Sequence, residues 1–154
     1  MEKFLLILLF LVINFGALSI GGWLMDNGPA TDWYIQLNKA PWTPPGWVFG
    51  FAWTAIMICF SIYLAQLFSI EVNSRVIALF VIQVFLNIIW NYLFFNKHLI
   101  LLGLIVLILL TILLLYFFFY LNQDKIGFYR FFLMPYIIWL FVAISLNAYI
   151  LVYN

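Results

Sequence analysis

Charge is so sparse in this chain, and so spaced, that it cuts the sequence into five apolar stretches, over residues 4–24, 44–68, 75–95, 99–121 and 128–153. A helix needs ~20 mostly apolar residues to cross the hydrocarbon core, and each stretch meets that length. Their hydrophobicity is continuous and lacks the alternation of a barrel strand, so they are assigned to helices, which satisfy their own backbone groups in lipid. At 69% hydrophobic and only 7% charged, the chain has too little polarity to clothe a surface in water. The expected fold is an all-α integral membrane protein, one domain over residues 1–154 built as a five-transmembrane-helix bundle with a long loop at 25–43.

Several function classes are excluded at once. With Lys+Arg at 6, Asp+Glu at 5 and a net charge of +1, there is no basic stripe for a phosphate backbone, so no nucleic acid is expected as partner. Asp26, Asp32, Glu71 and Asp124 all fall between the spans, which argues against a proton-coupled pump. His98 is the single histidine and Cys59 the single cysteine, so neither a metal cluster nor an internal disulfide can be assembled; the expected metal is none. His98 reads as a solvated interface residue, with axial haem ligation as the alternative. The first stretch exceeds the about 7 to 15 apolar residues of a signal peptide and no A-x-A site follows, so it is kept as a span. Its Ala17 and Gly21, beside Gly16 and Ile20, would let a second helix approach closely.

Lys3, Arg75, Lys125 and Arg130 fall on one side of the spans, Lys39 and Lys97 on the other, which predicts a cytoplasmic N-terminus with the long loop outside. In that loop Thr31 or Asp32 can cap a short helix through Asn38, setting Trp33, Tyr34 and Leu37 against the membrane interface. Three prolines then stiffen "APWTPP", with Thr43 as N-cap and Pro44 as the first residue of span two. Trp23, Trp42 and Trp47 suit the headgroup level, where tryptophan is enriched.

Interfacial anchoring does not account for the polar and aromatic residues deeper in the spans. Gln83, Asn87, Asn91 and Phe94 form one stripe of span three, with Trp90 beside them; Tyr136, Trp139, Ala143 and Asn147 share a face of span five. At 1.5 Å per residue, Trp53 lies roughly 14 Å below the start of span two and Asn87 roughly 14 Å below the end of span three, so these groups converge beneath the loop. Two readings stand side by side: interhelical hydrogen bonding that glues the bundle, or orientation of the polar edge of an apolar ligand. Span four is apolar almost all round and must face lipid or another subunit.

The blocks "WYIQLNKAPWTPPGWVFGFAWT" (33–54), "QVFLNIIWNYLFF" (83–95) and "PYIIWLFVAISLN" (135–147), in this order on five spans, resemble the tryptophan-rich sensory protein family, TspO, related to the mitochondrial translocator or peripheral benzodiazepine receptor. The resemblance implies a five-helix bundle, often homodimeric, whose inner pocket is closed by the first loop. It implies binding of porphyrins, haem-like tetrapyrroles and benzodiazepine-site ligands. Carried over by position, the pocket comprises Tyr34, Pro44, Trp53, Asn87, Trp90, Phe94, Trp139 and Ala143, the flat rings stacking on a tetrapyrrole and Asn87 supplying a directional hydrogen bond. Ala40 and Phe51 stand where the family commonly has proline, Met57 where tyrosine is frequent and Ser61 where glycine is, which alters the expected lining. Tyr149 is followed only by "ILVYN", so the cholesterol motif associated with the last helix is incomplete.

These observations lead to a membrane receptor or sensor for porphyrin or another flat apolar small molecule, in a bacterial cell membrane, with a role in its transport and no required cofactor. The alternatives are a light-dependent porphyrin-degrading enzyme, in which Trp53 and Trp139 would be the catalytic redox groups, and a structural or partner-binding membrane protein whose aromatics are packing. Because the chain offers no general base, metal site or cofactor motif, any reaction would draw on the pigment's own reactivity.

Overall fold

The computed structural model describes residues 2–121 and 123–154. Asn122, which the sequence places in the turn after span four, lies outside the described residues. Five long helices, α1 (Lys3–Leu24), α3 (Gly46–Ile70), α4 (Ser74–Asn91), α5 (Ile100–Tyr120) and α7 (Met134–Tyr153), are each long and apolar enough to cross a membrane. The short α2 (Asp32–Gln36) lies in the long loop, and α6 (Gln123–Ile126) follows α5. The long helices close into a ring in the order α1, α4, α5, α7, α3 and back to α1.

Local sequence explains where these elements begin and end, and moves several of the expected boundaries. The Thr31 hydroxyl accepts the Tyr34 N–H, so Thr31 rather than Asp32 caps α2. That helix stops at Gln36, short of Asn38, because Leu37 is already extended. Thr43 does not cap span two: its hydroxyl donates 2.7 Å back to the Ala40 carbonyl, closing a turn, and the helix starts at Gly46 with Pro45 as N-cap. A proline forces the residue before it out of the helical region, so Pro45 keeps Pro44 extended and the helix starts only after both. At α4 the Asn73 side chain accepts the Val76 N–H. Beyond Asn91 the helix widens into a π turn over Tyr92–Asn96. Span five opens with a 3-10 stretch, Gly127–Leu133, before α7 proper.

Between α1 and its neighbours the contact is polar and close. Leu6, Phe10, Asn14, Ala17 and Gly21 form its buried stripe. Asn14 donates 2.9 Å to Ser61, whose hydroxyl bonds back to the Met57 carbonyl, so Ser61 and Met57 lie in the core. A Cβ on Gly21 would come 2.7 Å from Asn91 Nδ2, which fulfils the close approach expected of this glycine; Gly16 has nothing within 4 Å. Asn91 accordingly turns toward α1 and bonds the Asn87 carbonyl, leaving the interior stripe to Gln83, Asn87 and Phe94.

At one end of the bundle the cations lie over aromatic rings: Lys3 over Tyr129, Arg75 over Tyr116, and Arg130 over Phe118 and Phe131. At the other end stands the long loop. Trp23 is 79% exposed, Trp47 72% and Trp42 56%, as expected of rings at headgroup level. One face of α5 presents Leu101, Leu102, Ile105, Ile108, Leu109 and Ile112 outward.

Candidate functional site

The interior aromatics gather in two groups joined by Trp90. In the deeper group Phe49 meets Trp139 edge-on, with centroids 5.2 Å apart, and Trp53 meets Tyr136 at 5.8 Å. Nearer the loop, Trp90 stacks on Phe94 at 5.5 Å, and Phe95 stands edge-on to both. Tyr34 packs on Phe94 and Phe95, and Trp33 on Phe94. Trp33 and Tyr34 therefore face the bundle, not the membrane interface as their amphipathic setting suggested, and Leu37 joins the same cluster. His98, in a left-handed backbone conformation, stacks flat against Trp33 at 4.0 Å. It is a solvent-side cover for the loop's aromatic cluster.

Burial of Tyr34 raises its phenol above the ordinary tyrosine range by desolvation, so the group acts as a neutral hydroxyl. Lys39 Nζ sits 4.7 Å over the Tyr34 ring and donates to the Ile35 carbonyl at 3.1 Å. Its charge thus caps the end of α2 and faces the π-cloud at the same time.

Three polar residues line the interior between these rings. Gln83, 2% exposed, donates 2.9 Å to the Tyr136 hydroxyl, and its Oε1 has no partner among the described residues. Asn147 donates 3.0 Å to the Ile100 carbonyl and accepts the Trp90 indole N–H at 3.4 Å. Asn87, one turn above Gln83, is 6% exposed, and no described residue hydrogen-bonds its side-chain amide. An amide so placed costs free energy unless something else meets it.

Of the residues named from sequence, Trp53, Trp139 and Ala143 pack on the main core, Trp90 belongs to both groups, and Tyr34 and Phe94 lie in the loop-side cluster. Pro44 stands half-buried ahead of α3, outside both groups. Two residues were missed. Phe49 is one turn before Trp53 on the same face of α3, a spacing that could have revealed it. Phe95 could not be found by α-helical spacing, because only the π turn brings it against Trp90, five residues earlier. Among the described residues no three His, Cys, Asp or Glu side chains come close enough to hold a metal.

Fold and site together define a polytopic membrane protein with an aromatic-walled interior under a folded loop. The chain belongs to the TspO/MBR family, whose profile matches residues 7–153. It is similar to the tryptophan-rich protein TspO of Archaeoglobus fulgidus, 31% identical over 140 residues and 90% of each chain. The TspO of Chlorobaculum tepidum is 32% identical over 144 residues, 90% of this chain and 89% of that one. A tryptophan-rich sensory protein of Cereibacter sphaeroides is 29% identical over 117 residues, 75% of this chain and 73% of the relative.

Proposed function

We propose that this protein is a membrane receptor of sensor type that holds a flat, mostly apolar tetrapyrrole, with protoporphyrin as its representative, between the interior aromatics. Benzodiazepine-site ligands belong to the same class of occupant, and movement of the bound pigment across or within a bacterial cell membrane is the process it would serve. The protein acts as a homodimer with its N-terminus in the cytoplasm. The observation that carries the reading is the side-chain amide of Asn87, buried one turn before Trp90 on α4 and hydrogen-bonded to no described residue, which offers one directional hydrogen bond in an otherwise apolar, aromatic interior. Family membership and the sensory name of a relative support it.

The test is a titration of purified protein with protoporphyrin, followed by quenching of tryptophan fluorescence. Saturable quenching is expected, weakened roughly tenfold or more in a Trp53→Phe, Trp139→Phe double variant, since each aromatic contact contributes about 0.5 to 1.5 kcal/mol. Unaltered affinity in that variant would reject the site.

A further inference from the structure

At the end of the bundle away from the long loop, one cation stands in an aromatic setting without a counter-charge. Arg130 lies in the 3-10 stretch Gly127–Leu133 that opens span five. Its guanidinium is 5.6 Å from the centre of the Phe118 ring and 5.2 Å from that of Phe131, and the two rings meet edge-on at 5.9 Å. The Arg130 Nε is buried and has no acceptor, and among the described residues nothing hydrogen-bonds or ion-pairs with either Nη. Arg130 as a whole is only half-buried, so the Nη side of the group opens outward. A guanidinium stays charged and carries five donors in a rigid fork, and none of the five is met here. A charge shielded on one face costs free energy unless an anion completes it.

The surroundings say what kind of anion fits. Phe118 leads on to Phe119 at 4.9 Å and Phe131 to Phe128 at 5.7 Å, so the rings form one continuous patch. Phe119, Phe128 and Phe131 are all exposed. The patch joins the last turn of α5 to the beginning of span five, which is where hydrocarbon gives way to headgroups. An apolar aromatic surface therefore lies beside a planar donor fork at the depth of lipid phosphates, and such a fork matches two phosphate oxygens at once. Its charge is delocalised over the whole group, so an anion on the Nη side also compensates the shielded Nε side. Arg75, the chain's other arginine, offers a contrast: it is exposed and rests on the Tyr116 ring alone.

We infer that Arg130 and the phenylalanines beside it form a docking site for one anionic phospholipid of the surrounding leaflet. The lipid's phosphate takes the Nη donors, and its acyl chains lie over Phe119, Phe128 and Phe131. An anionic headgroup fits better than a zwitterionic one, because no described carboxylate is paired with Arg130 and so none is held there to receive an ammonium. The site is on the outside of the bundle and stands independently of the receptor reading above.

The test titrates the delipidated full chain in detergent with phosphatidylglycerol and counts bound lipid by native mass spectrometry. Saturable binding of one tightly held lipid is expected, weakened roughly tenfold in Arg130→Gln, since hydrogen bonds to charged groups are the stronger class. Arg130→Lys keeps the charge without the fork and should weaken binding by about threefold. Phe128→Ala leaves the cation untouched but takes away acyl contact, and should also cost about threefold, so it decides the matter if Arg130→Gln fails to fold. Arg75→Gln should bind like the unmodified chain. Phosphatidylcholine with the same acyl chains should bind roughly fivefold more weakly. Glycerol phosphate, a headgroup without chains, should not displace the lipid at equal concentration. Unaltered binding in both Arg130→Gln and Phe128→Ala would overturn the inference, as would a loss in Arg75→Gln equal to that in Arg130→Gln, which would mean general attraction to this end of the bundle. Equal affinity for phosphatidylcholine would overturn the anionic preference, and displacement by glycerol phosphate would make this a site for free phosphate and not for a lipid.

Discussion

Replacing Gly28 with alanine is expected to unseat the long loop and lower stability by about 1 to 3 kcal/mol, the usual range for forcing extra volume into a packed site. Gly28 is buried, and a Cβ there would lie 2.5 Å from Cβ, Cγ and Cδ1 of Phe95. Those atoms are the root of the ring, not its free end, so no rotamer change moves them all away. Phe95 is further held by Phe94 at 4.9 Å, Tyr34 at 5.3 Å and Trp90 at 5.6 Å. The backbone of Gly28 is not left-handed, so space alone demands glycine. Thermal unfolding in detergent should show the loss, and limited proteolysis should show faster cleavage within residues 25–43. Gly16→Ala is the control: with nothing within 4 Å of its Cβ, stability should hold or rise by about 0.5 to 1 kcal/mol. If Gly28→Ala unfolds and resists protease like the unmodified chain, the loop does not depend on this contact.

The spans were legible because lipid imposes one strong rule, a run of apolar residues long enough to cross it, and five such runs leave no other arrangement. The interior faces of α4 and α7 were legible for a related reason: Gln83, Asn87, Tyr136 and Asn147 are polar groups where lipid cannot serve them, and all four are buried. What sequence missed is geometry that depends on a partner. Trp33 and Tyr34 look like interface anchors until the π turn of α4 presents two phenylalanines for them to pack on. Nor could sequence show that Asn14 on α1 is the partner of Ser61. Thr43 is a good N-cap type, but Pro45 pushes Pro44 out of the helical region, so the helix starts only at Gly46 and the Thr43 hydroxyl bonds backward instead.

Two buried asparagines, one on α4 and one on α7, should respond in opposite directions to the same change. Asn147→Leu removes a donor to the Ile100 carbonyl and the acceptor of the Trp90 indole, so it should destabilise the bundle by about 1 kcal/mol, in line with interhelical bonds in lipid. Asn87→Leu removes an amide that meets no described residue, and leucine has a similar volume without the polar group, so stability should rise by about 1 kcal/mol. Protoporphyrin affinity should nevertheless fall roughly tenfold in Asn87→Leu, because a hydrogen bond to the occupant contributes about 1 kcal/mol or a little more. A more stable protein that binds its ligand worse is the mark of a group kept for binding. The pair thus separates the two readings that the sequence left open for these polar residues. Thermal unfolding with and without protoporphyrin measures both quantities on the same samples. A loss of stability in Asn87→Leu as large as in Asn147→Leu would make Asn87 part of the glue between helices and take away the observation on which the receptor reading stands.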